Sequence, residues 1–184
     1  MRQFRSALLY TALALVANTG WADPYGITDL RDGDMRKLAV HSAALSVSDM
    51  TYTGADGAPR TLDDEGDTVL LVNFWATWCA PCRKEMPSLA ALQEGFAPED
   101  FRVITIATGR NPLPAMELFF EEIGVDTLPL HRDERQGFAR SMGVLGLPVS
   151  ILIDRNGDEI ARLQGDADWN SESARAIIAA LVSG

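Results

Sequence analysis

The chain has 184 residues, of which 47% are hydrophobic and 23% are charged. This length and composition are typical of one globular domain with short appendages and a sizeable core. The formal net charge of −10 argues against a nucleic-acid-binding protein and against docking on anionic lipid.

The first 22 residues have the pattern of a secretory signal peptide. Arg2 and Arg5 give a basic start, residues 7–17 form an uncharged and largely apolar run, and small residues precede a cleavage point between Ala22 and Asp23. The apolar run is shorter than the roughly 20 residues that a membrane-spanning helix needs. We therefore expect export to the periplasm by a cleaved signal. An uncleaved N-terminal membrane anchor is the alternative.

The segment that follows is predicted to lead into a folded domain over residues 45–184. Residues 23–44 are polar and mixed, with one weak helical stretch over residues 29–40. A turn-rich loop over residues 54–59 separates two short strand-like runs and predicts a hairpin. The next run, residues 68–75 (TVLLVNFW), is almost continuously apolar, which indicates a strand buried on both faces in the middle of a sheet.

The remainder of the chain alternates predicted helices and strands. The first helix has the apolar stripe Met86, Leu89, Leu92 and Phe96, and a strand over residues 101–107 follows it. Pro112 and Pro114 open the second helix, which ends at Gly124 and has the predicted inner face Ala115, Leu118, Phe119 and Ile123. A strand over 127–131, a helix over 134–142, a hairpin of 148–154 with 159–163 around Asn156-Gly157, and a last helix that Asn170 or Ser171 caps complete the chain. This order predicts an α/β fold with a mixed sheet and helices on both faces.

Cys79 and Cys82 are the only cysteines, and they lie at the predicted junction between the central strand and the following helix. A disulfide between them closes a loop too small to stabilise the fold much. A Cys-x-x-Cys pair at such a junction is instead suited to redox chemistry. In an oxidising compartment, the pair must either be held oxidised or be reduced by a dedicated partner.

The two cysteines are predicted to have different roles. The N-terminus of a helix stabilises an anion, so the pKa of the Cys79 thiol is expected below the free-thiol value of about 8.5. Cys82 should lie one turn inside the helix and be more buried. We therefore assign Cys79 as the nucleophile and Cys82 as the resolving cysteine. A zinc site completed by His41 and His131 is the alternative, which the isolation of both histidines disfavours.

Residues 75–87 (WATWCAPCRKEMP) resemble the active-site signature of thioredoxin-like proteins, and more narrowly that of the exported TlpA/ResA/DsbE-like thiol–disulfide oxidoreductases. The resemblance covers about residues 45–182 and includes Pro87 and the run Gly146-Leu147-Pro148. It implies a thioredoxin-like fold, with a central mixed β-sheet flanked by helices, an N-terminal hairpin and a β-α insertion over residues 108–143. It also implies substrate contacts by Trp78, Leu147 and Pro148, with a cis peptide bond at Pro148 that frees Leu147 to pair with an extended substrate segment.

Two residues near the cysteines bear on proton transfer. Asn73 occupies the place where thioredoxin carries a buried aspartate, and an amide cannot act as a base. Glu85 lies three residues after Cys82, on the same helical face, and matches an acid that the exported branch carries. It is a candidate proton acceptor for the Cys82 thiol if burial raises its pKa. The alternative is a solvated glutamate that favours the helix N-terminus.

Ala80 and Pro81 bring no charge and no donor side chain to a thiolate, which predicts a reducing protein rather than a disulfide-forming one. The resemblance implies the same direction. It implies exported disulfide-bearing substrates, such as apocytochrome c or copper-site proteins of respiratory oxidases, and an integral membrane thiol carrier as electron donor. No cofactor and no nucleic-acid partner are expected. A copper-binding assembly module on the same fold is the alternative, which the two-residue spacing disfavours, and a peroxidase would need a lone cysteine after a Pro/Thr motif.

Overall fold

The structure is a computed structural model that describes residues 23–47 and 49–184. The predicted signal peptide therefore lies outside the described residues. The elements, in chain order, are β1 (Ala39–Ser46), β2 (Tyr52–Thr53), β3 (Pro59–Arg60), β4 (Val69–Trp75), α1 (Ala80–Glu94), β5 (Phe101–Thr108), α2 (Leu113–Ile123), β6 (His131–Asp133), α3 (Gly137–Ser141), β7 (Val149–Ile153), β8 (Asp158–Gln164) and α4 (Glu172–Ser183). Short 3-10 helices span Thr28–Leu30, Gly33–Lys37 and Leu62–Glu65.

The described strands form one mixed sheet in the order β1-β8-β7-β4-β5-β6-β2-β3. The pairs β4–β5 and β5–β6 are parallel, and the other neighbouring pairs are antiparallel. The predicted hairpins exist as β2 with β3 and as β7 with β8. The sheet is therefore the mixed sheet that the sequence predicts.

Strand β4 lies inside the sheet, and all of its seven residues are buried. It pairs along its length with β5 on one side and with β7 on the other. The apolar run thus forms the covered central strand that its composition predicts. Its last residue, Trp75, pairs with Ala107 of β5, so β4 ends level with β5 and delivers the following turn to this end of the sheet.

Helices cover both faces of the sheet. Side chains of α1, α2 and α4 pack with Leu71 and Trp75 in one apolar cluster. Phe138 and Met142, in and just after α3, pack with Val72 and Phe74 in the other. Successive residues of β4 point to opposite faces, so this one strand contributes to both cores. Within the described residues, no helix is long and apolar enough to cross a membrane.

The segment predicted as a lead-in is more ordered than its sequence suggests. Two 3-10 helices replace the weak α-helix predicted over residues 29–40, and Ile27, Met35 and Leu38 are fully buried. Residues 39–44 form most of β1, an edge strand that pairs with β8. Most side chains of β1 are exposed, so the strand lacks the apolar alternation by which a sequence reveals a half-buried strand.

Three further predictions are wrong in detail. The predicted inner face of α2 includes Leu118, but Leu118 is half exposed, and Met116 and Phe120 are buried together with the predicted Phe119. This helix carries apolar residues around most of its surface, so the stripe fits more than one face. The strand predicted over residues 127–131 is β6, which begins only at His131. Residues 134–136 precede α3 rather than form part of it.

Candidate functional site

The two cysteines form a disulfide at the start of α1, with Cα atoms 5.3 Å apart. Cys79 is the N-cap residue, and its Sγ accepts a hydrogen bond of 3.3 Å from the Cys82 backbone N–H. Pro81 lies in the first turn, where its missing N–H leaves no intrahelical bond unmade. Once the disulfide opens, the helix N-terminus and this N–H favour a thiolate at Cys79.

Accessibility differs along the redox motif. Trp78 is 70% exposed, Cys79 is 4% exposed and Cys82 is fully buried. The order agrees with the predicted roles, because Cys79 adjoins the exposed surface whereas Cys82 lies beneath it. Of the two cysteines, Cys79 is therefore the one with surface open to solvent.

The loop before β7 carries the other predicted contact residues. The Leu147–Pro148 peptide bond is cis, and the Pro148 carbonyl accepts a hydrogen bond of 2.9 Å from the Gly165 N–H. Leu147 packs against the apolar cluster that contains both cysteines. Trp78 and Leu147 line the same surface groove, of about 310 Å³. The fold thus brings together residues that lie about 70 positions apart in sequence.

Asn111 holds the turn that precedes Cys79, a role that sequence reasoning missed. Its Oδ1 accepts hydrogen bonds from the Thr77 N–H at 2.8 Å and from the Thr77 hydroxyl at 3.0 Å. Its Nδ2 donates to the Thr108 carbonyl at 2.9 Å. Asn111 is buried, so it ties the redox turn to the end of β5 in a place with little competition from water. The position of Asn111 before Pro112 gave no sequence signal for this contact.

Glu85 is buried in α1, with only 2% of its surface exposed. One carboxylate oxygen accepts from Asn73 Nδ2 at 2.8 Å. The other accepts from the Ala167 N–H at 3.2 Å and from Trp169 Nε1 at 3.3 Å. Burial raises the pKa of Glu85 to about 7, and these hydrogen bonds limit the rise because they stabilise the charged form. The alternative of a solvated glutamate does not fit this buried environment.

Asn73 is the polar residue of β4 on the same side as Glu85. Its Nδ2 also donates to Ser150 Oγ at 2.9 Å, and its Oδ1 is buried without a hydrogen-bond partner in the described part of the chain. Through Nδ2, the Asn73 side chain therefore contacts a carboxyl group whose protonation state can change near neutral pH.

The two histidines lie away from this arrangement. His41 Nε2 contacts Glu159 Oε1 at 2.7 Å, between β1 and β8. His131 begins β6, its ring packs on Tyr52, and its Nδ1 accepts from the Ala55 N–H at 3.0 Å. Among the described residues, no group of three His, Cys, Asp or Glu side chains is arranged to hold a metal ion. The zinc arrangement considered from the sequence is therefore not assembled here.

A disulfide at a helix N-terminus, a cis-proline loop beside it and a mixed sheet with helices on both faces define a thioredoxin-like thiol–disulfide oxidoreductase. The chain belongs to the Redoxin family, whose sequence model matches residues 39–178. Within it, the chain is a TlpA/ResA/DsbE-like protein of the thioredoxin superfamily.

Similarity to known proteins agrees with this assignment. The chain is 29% identical over 154 residues to the thiol-disulfide oxidoreductase ResA of Geobacillus kaustophilus, and this alignment covers 84% of this chain and 82% of the relative. It is 30% identical over 112 residues to the thiol:disulfide interchange protein HelX of Rhodobacter capsulatus, and that alignment covers 61% of each chain. A structure from Chlorobium tepidum named for the thiol:disulfide interchange protein DsbE aligns with a TM-score of 0.66 and 26% identity, over 76% of this chain and 96% of that one.

Proposed function

We propose that the protein is exported to the periplasm and reduces specific cysteine pairs of other exported proteins. The observation that carries the proposal is the Cys79–Cys82 disulfide at the start of α1, with Cys79 slightly exposed and Cys82 fully buried. Ala80 and Pro81 between the cysteines bring no charge and no donor side chain to a thiolate, which favours a reducing protein. Residues 1–22 support export, because they have the basic start, apolar run and small-residue site of a signal peptide. Apocytochrome c and copper-site proteins of respiratory oxidases are the substrates that the family resemblance favours.

In the proposed reaction the Cys79 thiolate attacks one sulfur of the substrate disulfide. A Cys79–substrate mixed disulfide forms and the first substrate cysteine leaves as a thiolate. The ionised Glu85 accepts the proton of the Cys82 thiol, directly or through water. The Cys82 sulfur then attacks Cys79, and the second substrate cysteine leaves. The substrate gains two electrons, solvent protons complete its thiols, and the protein is left with the Cys79–Cys82 disulfide.

A separate donor must restore the dithiol after each cycle, because the periplasm is oxidising. An integral membrane thiol carrier is the proposed donor. It would attack the Cys79–Cys82 disulfide at Cys79, which adjoins the exposed Trp78, while the fully buried Cys82 leaves. The electron pair thus passes from the carrier to this protein and then to the substrate, with Cys79 as the exchange point in both steps.

The direct test replaces the resolving cysteine. Cys82→Ser, expressed in the native compartment, should accumulate mixed disulfides at Cys79, and mass spectrometry after alkylation identifies the partners. Cys79→Ser is the matched control, because it retains one thiol that is buried and should trap little. Exported proteins with cysteine pairs among the trapped partners support the proposal. Equal trapping by both variants, or trapping of glutathione alone, would contradict it.

A further inference from the structure

A groove of about 310 Å³ lies between the redox motif and the segment that joins α3 to β7. Trp78, Leu147, Leu145 and Arg140 are among the residues that line it. Leu145 is 98% exposed and Trp78 is 70% exposed, although both side chains are large and apolar. Two such side chains beside one groove are typical of a surface that another chain covers.

The groove also contains a polar group without a partner. Thr108 lines the groove, is only 2% exposed, and its hydroxyl has no hydrogen-bond partner in the described part of the protein. A buried hydroxyl without a partner is unfavourable. An incoming peptide could supply that partner through a backbone or side-chain polar group. This observation is independent of the exposed leucine and tryptophan, and it too points to a ligand in the groove.

Charge distinguishes this region from the rest of an acidic chain. The protein has a formal net charge of −10. Yet the exposed side chains of Arg110, Arg135 and Arg140 form no ion pair with any described residue, whereas most cations elsewhere do. Within the part of the chain that the structure describes, Arg140 donates to the Gln136 side chain and to the Arg135 carbonyl and to no carboxylate.

Of these cations, Arg140 lines the groove, and its guanidinium donates to the Arg135 carbonyl. Arg110 follows Gly109, whose backbone lies near the side chain of the groove residue Gln136. Two acids lie in the same stretch: Asp133 accepts from the Gly137 and Ala139 N–H groups, and Glu134 pairs with Arg132. Over residues 131–140, three arginines against these two acids leave one net positive charge, in a chain whose formal net charge is −10.

We propose that this groove selects the substrate of the reductase: an extended segment with an apolar residue beside its cysteine and acidic residues further along. The apolar side chain packs against Trp78 and Leu145, a polar group of the segment pairs with the Thr108 hydroxyl, and the acidic residues meet Arg140. The inference rests on the proposed function, and it adds the chemistry of the sequence that surrounds the reduced cysteines.

The test uses synthetic peptides that each contain one intramolecular disulfide. Three peptides differ only in the flanking residues: Leu with two Asp, Leu with two Lys, and Ser with two Asp. The reduced protein, recycled with dithiothreitol, is assayed for kcat/KM on each peptide. Each value is divided by the rate with uncharged hydroxyethyl disulfide, measured on the same preparation, so that changes in the cysteines themselves cancel.

The wild-type protein should favour the Leu-Asp peptide over the Leu-Lys peptide about tenfold at low salt, and 1 M NaCl should remove most of this preference. Arg140→Gln should reduce the preference about threefold or more. Leu145→Ser should bring the Leu-Asp peptide close to the Ser-Asp peptide. Thr108→Val, which keeps the side-chain shape, should lower kcat/KM for all three peptides several-fold.

Arg36→Gln is the matched control for Arg140→Gln, because it makes the same change in net charge at an exposed side chain in the 3-10 helix Gly33–Lys37.

Equal rates with the Leu-Asp and Leu-Lys peptides would overturn the groove assignment while leaving the reductase intact, provided that hydroxyethyl disulfide is reduced. The same loss of preference in Arg36→Gln and Arg140→Gln would also overturn it, since the effect would then be one of net charge. Failure to reduce hydroxyethyl disulfide would contradict the proposed function, and the groove assignment would fall with it. Circular dichroism of each variant checks that the fold is retained.

Discussion

Asn73 donates a hydrogen bond of 2.8 Å to Glu85 in the interior of the protein, from the central strand to the redox helix. In thioredoxin, as the sequence resemblance implies, the strand residue at the place of Asn73 is a buried aspartate. Here the strand supplies an amide, and the carboxyl group comes from Glu85 in the helix. Because an amide does not titrate in this range, Glu85 is the single carboxyl group of the contact. The carboxyl contribution to the pH response of the site is therefore expected to come from one group rather than from a coupled pair of acids.

The first prediction concerns the rate at which Cys82 resolves a mixed disulfide. The pKa of Glu85 is raised to about 7 by burial, so the carboxylate that accepts a proton is present mainly above that pH. The wild-type rate should rise with pH through this region, and Glu85→Gln should lower it about 100-fold at pH 8. Stopped-flow measurement of substrate thiol release checks this. Glu94→Gln, an exposed acid on the same helix, is the matched control, and equal behaviour of the two variants would refute the role of Glu85.

Stability should depend on pH through the same group. Between about pH 4.5, the ordinary pKa of a glutamate, and about pH 7, the pKa of the buried group, native Glu85 retains a proton that the unfolded chain has lost. The folded state then binds more protons, so the free energy of unfolding falls as the pH rises through this window. The contribution is roughly 3 kcal/mol over the whole window.

Urea titrations of the oxidised protein between pH 4 and pH 8 measure this dependence. Glu85→Gln should remove most of the loss in unfolding free energy, because its side chain does not ionise. Parallel curves for the two proteins would show that Glu85 titrates at the same pH in the folded and unfolded states.

Trp169 tests how hydrogen bonds set the Glu85 pKa. Its Nε1 donates to Glu85 Oε2 at 3.3 Å, which lowers the pKa by stabilising the charged carboxylate. Trp169→Phe should therefore move the midpoint of the rate profile upward by about half a unit to one unit. Trp75→Phe is the matched control, because Trp75 Nε1 is buried and has no partner among the described residues. A larger shift from Trp75→Phe than from Trp169→Phe would contradict the hydrogen-bond explanation.

Asn111 provides a test of how the redox turn is held. Asn111→Ala leaves the Thr77 N–H without its acceptor and should cost about 1–3 kcal/mol of stability. Amide hydrogen exchange at Thr77 should accelerate more than exchange in β4, which is measured in the same experiment. Asn111→Asp retains the acceptor oxygen and should preserve most of the protection at Thr77. Unchanged exchange in Asn111→Ala would show that another contact fixes this turn.

Local sequence patterns predict much of the fold. The apolar run of β4, the Asn156-Gly157 turn of the last hairpin and Gly124 at the end of α2 all predict what the structure has. These signals depend on residues a few positions apart. The edge strand β1 escaped prediction because its exposed side chains leave no alternation. The inner face of α2 is set by packing on Trp75, which periodicity within the helix cannot reveal.

For the candidate site too, the sequence predicts the local features but not the long-range contacts. The sequence motif predicts the position of Cys79 at the helix start, and the family resemblance implies the cis bond at Pro148. The contacts of Glu85 with Asn73 and with Trp169 join residues 12 and 84 positions apart. Such contacts depend on how strands and loops assemble, and no local pattern encodes them. The sequence could name Glu85 as a candidate, but only the assembled interior supplies the burial that raises its pKa.

Equilibration of the purified protein with reduced and oxidised glutathione tests the central claim, which is that the dithiol donates electrons. The fraction of Cys79–Cys82 disulfide is read by alkylation and mass spectrometry across a series of thiol ratios. Ala80 and Pro81 give the thiolate no charged or donor side chain, so we expect a reduction potential below about −200 mV, as in reducing members of this fold. A value near about −120 mV, as for a strong oxidant, together with faster oxidation of dithiol peptides than reduction of disulfide peptides, would contradict the account.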